Sequence, residues 1–291
     1  MLIFLARLIA FLPLPALQAL GRALGRLIYA MPGKYRQRLQ ANAAQAGYTD
    51  PAFLRRAAAE VGAMILETPR LWFRNEDCMK RVISDDEHIV LDALAEGRGI
   101  LFLTPHLGSF EATARHGSLE YASPEKPSVI MYRIPRKAIL ASLLGVVRNA
   151  PNMRAVPANM QGVREFVRTL KRGGIAGMLP DQAPSAGEGA WAPFFGRMAY
   201  TVTLPGKLCR QTNAIIIVTA GERLPNGQGW RIHNVRVPEP LPENLAEQAA
   251  LINATMEDLI RRFPEQYLWG YNRYKTPRSA PPAPDADQHP R

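Results

Sequence analysis

Apolar residues recur at intervals of three and four between Pro51 and Phe73. Phe53, Leu54, Ala57, Val61, Met64, Ile65 and Leu71 fall on that period, which predicts a helix. Past residue 86 the pattern changes. Residues 99–104, 128–133, 175–179 and 214–220 are short, nearly continuous apolar runs, as in strands covered on both faces. Residues 230–237 alternate instead, with Trp230, Ile232, Val235 and Val237 among polar neighbours, which predicts an edge strand. Between these runs lie helical patterns near residues 110–121, 137–148, 161–172, 204–211 and 244–263. The third ends in Arg168, Lys171 and Arg172 before Gly173-Gly174, cations at the negative helix terminus followed by a glycine stop. Strands alternating with helices predict an α/β fold, with a mixed, mostly parallel central sheet flanked by helices. No internal repeat or linker divides residues 32–276, which read as one domain.

The first thirty-one residues differ. Residues 8–21 form an uncharged apolar run of fourteen, too short to span a bilayer unaided and interrupted by Pro13 and Pro15. Gln18, Arg22 and Arg26 follow four apart on one helical face, with Leu17, Leu20, Leu24, Leu27 and Ile28 on the other. This predicts an N-terminal membrane-associated helical segment over residues 1–31, its arginines toward lipid headgroups. A tilted span with snorkelling arginines, an ordinary core helix and a cleaved secretory signal are the other readings. The signal fits poorly, because the basic residues follow or interrupt the apolar core rather than precede it.

Charge narrows the partners. The net charge is +11, and residues 1–81 hold twelve basic against five acidic side chains. Such a field attracts an anionic membrane, an acidic protein or nucleic acid. No recognition fold or interleaved basic and aromatic surface supports nucleic acid. Cys78 and Cys209 lie far apart without metal spacing, which suits a reducing compartment. Residues 277–291, with five prolines and little apolar content, read as a disordered tail.

Common nucleophile and phosphate motifs are absent. There is no Gly-x-Ser-x-Gly elbow, phosphate loop, dinucleotide fingerprint or His-Glu-x-x-His pair, and no histidine has metal-ligand spacing to another histidine or cysteine. In open α/β sheets ligands bind at the carboxyl ends of strands, and three ends here carry polar groups. His106 and Glu111 follow the first run. Five residues on a helix turn through about 500°, so the two side chains meet only if His106 lies outside the helix. Pro105 and Gly108 favour a turn there, with Glu111 on the first turn of the helix beyond. That would be a general base with its orienting group. Tyr132, Arg133, Arg136 and Lys137 follow the second run. Asp181 and Gln182 follow the third, then a loop reaching Trp191, Phe194 and Phe195. Together these groups make a pocket suited to an amphiphile.

In this order the residues resemble the late acyltransferases of lipid A biosynthesis, a branch of the lysophospholipid acyltransferase superfamily. The superfamily's His-x4-Asp/Glu motif stands here as His106-Leu-Gly-Ser-Phe-Glu111. Met131-Tyr132-Arg133, Pro180-Asp181-Gln182, Ala192-Pro-Phe-Phe-Gly196 and Pro264-Glu-Gln-Tyr267 with Trp269 match in turn, followed by Arg273 and Lys275. Arg148 falls sixteen residues after Tyr132, where the family has an important arginine. The resemblance covers roughly residues 1–276. Ser109-Phe110 replaces the Asn-Trp of many members, and the Phe-Pro-Glu-Gly-Thr motif of the glycerolipid branch is missing, which argues against a phosphatidate-forming enzyme.

The resemblance implies transfer of a fatty acyl chain from acyl carrier protein to a hydroxyl of an anionic lipid A precursor, without a further cofactor. His106 would be the general base and Glu111 its orienting group, with direct attack on the thioester. Arg148, Asp181, Tyr132, Arg133 and Gln182 would serve the substrates, Arg148 at the oxyanion or a phosphate, and Asp181 orienting Arg148 or His106. It also implies the cytoplasmic face of a bacterial inner membrane. Arg133, Arg136, Lys137 and the Arg164/Arg168/Lys171/Arg172 face are candidate contacts for acidic carrier or lipid phosphate. A lysophospholipid or other glycolipid acceptor and a non-catalytic membrane-bound scaffold are the alternatives.

Overall fold

A computed structural model of the chain describes residues 2–132 and 150–284. It opens with α1 (Leu2–Ala10), α2 (Leu14–Ala30), α3 (Lys34–Gln45), α4 (Pro51–Phe73) and the short α5 (Asn75–Met79). The α/β part continues with β1 (Val82–Ser84), α6 (His88–Ala95), β2 (Ile100–Leu103), α7 (Phe110–Glu120), β3 (Ser128–Tyr132) and β4 (Met153–Pro157). Then come α8 (Met160–Lys171), β5 (Ile175–Met178), β6 (Gly189–Phe194), β7 (Arg197–Val202), α9 (Leu204–Thr212), β8 (Ile215–Arg223), β9 (Trp230–Arg236) and α10 (Leu245–Arg262). The helix expected at residues 137–148 lies outside the described residues.

Seven strands form one mixed sheet in the order β1-β9-β8-β2-β5-β3-β4. Every pairing is parallel except β8 with β9. The alternating strand β9 is not the edge, as its pattern suggested, because β1 pairs outside it with Val82 opposite Trp230. The pattern missed β1, which has three residues, and β4, which carries Arg154 and ends at Pro157 on the opposite edge. The expected aromatic loop is instead the hairpin β6–β7. Phe195 and Gly196 turn it with φ of 47° and 72°, the left-handed pair that a two-residue hairpin needs.

Along β2 to β4 the two faces of the sheet differ. Leu101, Leu103, Val129, Val156 and Ala176 pack into the main core with Phe166 and Leu170 of α8. Residues one position along (Phe102, Ile130, Ala155 and Gly177) face a cavity instead.

The helical N-terminus packs with its polar side inward. Asp50 caps α4 by accepting from the N–H groups of Ala52 and Phe53, and Pro51 opens it. α2 lies on α4 with backbones touching. A Cβ on Gly21 would stand 2.4 Å from the Gly62 carbonyl, and one on Gly25 2.2 Å from that of Ala58. Gln18 donates to Glu67 (2.9 Å) and Arg22 to Glu60 (2.7 Å). The face expected to meet headgroups through Gln18 and Arg22 therefore turns into the protein, since buried carboxylates on α4 require donors. Arg26 is exposed, and Leu17 is buried. Leu20, Leu24, Leu27 and Ile28 point outward, with Phe4, Leu5, Leu8, Phe11 and Leu12 ahead of them. Among the described residues no single helix is long and apolar enough to cross a membrane, and α1 and α2 are bent by 120° at their junction.

Candidate active site

Two parallel strands bring the chemistry together. β2 and β5 pair with Leu103 opposite Met178, and three residues beyond each stand His106 and Asp181. The His106 N–H donates to Asp181 Oδ2 (2.9 Å), and its Nδ1 lies 2.7 Å from Oδ1. Burial opposes ionisation of Asp181, yet the charge and hydrogen bonds of His106, with the field of Arg273, hold its carboxyl below the ordinary range. An ionised Asp181 can only accept, so Nδ1 of the neutral ring carries the hydrogen and Nε2 keeps its lone pair. The Gln182 amide nitrogen lies 3.3 Å from that Nε2.

The turn after His106 is tightly fixed. Gly108 has φ +60°, and a Cβ there would stand 2.0 Å from the Gly221 carbonyl, so no other residue fits. Ser109 N–H donates to that same carbonyl (2.7 Å). α7 then starts at Phe110, whose ring meets His106 edge-on at 5.2 Å between centroids. Thus His106 precedes the helix and Glu111 sits on its first turn.

Glu111 is not the partner of the His106 ring. Its Oε2 lies 3.8 Å from Nε of Arg115, one turn along α7, while Nδ1 of His106 points to the end of β5. The cause is the strand pairing, which places a carboxylate from seventy-five residues away nearer the ring than one five residues on.

His106, Glu111, Tyr132 and Gln182 all line one cavity of about 910 Å³. Asp181 is buried behind His106, and Arg133 and Arg148 lie outside the described residues. The cavity runs along the sheet under α7, past Phe102, Ile130, Gly177 and Gly117. Two of its serines are turned to each other and to main chain: Ser118 Oγ lies 2.7 Å from Ser128 Oγ, with bonds to the Ala114 and Asn152 carbonyls. Lys207 of α9 also lines it. The expected aromatic wall is elsewhere, for Phe194 and Phe195 are buried in the main core.

The pattern gave no weight to Lys207 or Gly177, though an isolated glycine within an apolar strand signals close approach or open space. It also assigned no role to Tyr267 and Arg273, which stand behind Asp181.

A histidine held in one tautomer beside a mainly apolar cavity can take a proton from a hydroxyl next to a long apolar group. Residues 1–276 match the family model of the bacterial lipid A biosynthesis acyltransferases, and the chain belongs to that family. It is similar to a lipid A biosynthesis lauroyltransferase of Escherichia coli strain K12, 26% identical over 224 residues, covering 74% of this chain and 69% of the relative. It is equally similar to the palmitoleoyltransferase of that strain, 26% identical over 220 residues with the same coverage. A lipid A biosynthesis acyltransferase of Haemophilus influenzae is 25% identical over 185 residues, 63% of this chain and 55% of the relative.

Proposed function

We propose that this protein moves a fatty acyl chain from an acyl carrier protein thioester to a hydroxyl of a lipid A precursor. The observation that carries the mechanism is the orientation of His106, with Nδ1 fixed by Asp181 and Nε2 facing the cavity. Nε2 removes the acceptor hydroxyl proton as the oxygen attacks the thioester carbonyl carbon. The resulting oxyanion collapses, the C–S bond breaks, and the imidazolium returns the proton to the departing thiolate. Asp181 keeps the productive tautomer and stabilises the imidazolium. The Gln182 amide, within reach of the same point, donates to the oxyanion. Glu111, on the cavity wall, accepts from a polar group of the acceptor. The apolar cavity along the sheet receives an acyl chain.

The outward face of α1 and α2 supports a membrane-surface location. Phe4, Phe11 and Leu27 are 66%, 68% and 61% exposed, and among the described residues most of the exposed large apolar side chains lie between residues 4 and 31. The bent pair enters the lipid interface and holds the site at headgroup level on the cytoplasmic side of the inner membrane, where carrier thioesters are supplied.

The test is purified protein with acyl carrier protein thioester and a purified lipid A precursor, read by mass spectrometry. Wild type should acylate the precursor, and His106→Ala should lose about 10²–10⁴-fold in rate while remaining folded. Wild-type turnover by His106→Ala sinks the base assignment.

A further inference from the structure

The segment after the last helix reaches the back of the His106–Asp181 pair. Main chain 266–268 pairs with main chain 106–108: Leu107 bridges Tyr267 in antiparallel fashion, Gly108 N–H donates to the Gln266 carbonyl (3.0 Å), and Leu268 N–H donates to that of His106 (3.0 Å). Gln266 anchors this segment to β8 with both ends of its amide. Its oxygen accepts from Arg223 N–H (2.8 Å), and its nitrogen donates to the Arg223 carbonyl (3.1 Å). The Tyr267 ring is buried against Trp269 and Phe194, with centroids 4.8 and 6.2 Å away, close enough to Asp181 for the field of that carboxylate to act on its hydroxyl.

We propose that Tyr267 is a positioning residue, set between the two residues whose main chain pins the His106 turn, and that its hydroxyl donates to Asp181. This rests on the reading of His106 as the base. Asp181 accepts from the ring and the main-chain nitrogen of His106, and a buried carboxylate has room for a further donor. Burial and the Asp181 charge push the Tyr267 hydroxyl well above its ordinary pKa, so it remains a donor at every working pH. Arg273 adds positive field. Its Nη1 and Nη2 are bonded to the Tyr200 carbonyl (3.0 Å) and Thr201 Oγ1 (2.7 Å). On the cavity side the charged groups are Glu111 with Arg115, Glu188 and Lys207.

The experiment is Tyr267→Phe in the full chain, which keeps the ring and its packing. With one donor gone, Asp181 and the ring it orients are held less firmly, which should lower kcat about tenfold, with KM for the carrier thioester within about twofold. A carboxylate with one donor fewer holds the imidazolium more strongly. The acid limb of kcat/KM should then move upward. Adding Tyr267→Phe to Asp181→Asn should then cost almost nothing, because the hydroxyl acts through that carboxylate. An unchanged kcat and pH profile overturns the inference, and so does a loss that persists undiminished beside Asp181→Asn. If wild type itself transfers no acyl chain, the proposed function fails instead.

Discussion

Glu67 and Asp181 are both buried carboxylates facing a nitrogenous side chain, and their surroundings end differently. Glu67 accepts from Nε and Nη2 of Arg223 (2.9 and 3.0 Å), from Nε1 of Trp230 (3.2 Å) and from Gln18. Nη1 of Arg223 goes on to Glu60 (2.8 Å), and Glu60 to Arg22. That cluster is closed: burial lowers the tendency of Arg223 to hold its proton, but the two glutamates more than restore it. Asp181 is as deeply buried, yet the ring it holds still presents a nitrogen to an open cavity. A closed cluster ties α2, α4 and β8 together. An open one can move a proton.

The comparison breaks most visibly at Arg223. Arg223→Met leaves Glu67 buried without a cation, and breaking a buried pair costs about 3–5 kcal/mol. Urea denaturation should show that loss, and Glu67→Leu placed beside Arg223→Met should recover part of it. Stability equal to wild type would mean that the cluster holds nothing.

A smaller effect of another kind is expected at Asp181. Asp181→Asn can offer its amide nitrogen to Nδ1, which favours the tautomer with the hydrogen on Nε2. We expect kcat to fall about 10²-fold or more, while the urea midpoint moves less than for Arg223→Met. Acid unfolding separates the two roles further. The native carboxyl of Asp181 lies below the unfolded value of about 3.9, so its stabilisation is complete above that pH. It drains away as pH falls through the lower native value. Wild type should show this component below about pH 4 and Asp181→Asn should lack it.

What the chain alone revealed follows the same division. α4 spans the predicted residues because periodicity, an Asp50 cap and Pro51 agree. His106 and Asp181 were both visible as polar groups at strand ends. Their pairing was one of two arrangements the resemblance implied, Asp181 with Arg148 or with His106, and the residues alone did not decide it, because it depends on β2 lying beside β5 in a register that no local pattern states. Glu111 looked like the partner through nearness in sequence and through the His-x4-Glu motif of the resemblance. Gln18 and Arg22 misled for the same reason: a polar helical face suits water, headgroups or a buried carboxylate equally, and Glu60 and Glu67 lie some forty to fifty residues away. Arg223 gave no signal, since one arginine at the end of an apolar strand commonly marks the surface.

The difference between open and closed clusters can be sharpened by filling the cavity that keeps His106 open. Gly177 stands in register between Phe102 on β2 and Ile130 on β3, a notch between two large side chains on the cavity wall. A Cβ there would come within 2.8 Å of Ile130 Cδ1, the tip of a flexible side chain, and 3.9 Å of the Phe102 carbonyl. Gly177→Val should therefore fold, with a cost of about 1–3 kcal/mol for crowding, and push Ile130 into the space beside it. His106 lies some four residues along the strand direction, about 13 Å at about 3.3 Å per residue, so the base should be unaffected. If the acyl chain of the donor lies in this cavity, long donors should lose about tenfold in kcat/KM relative to short ones, the discrimination that one or two methylenes earn in an apolar pocket. A series of carrier thioesters of increasing length reads this directly. Equal losses at every length would place the donor chain elsewhere and leave the cavity to the acceptor.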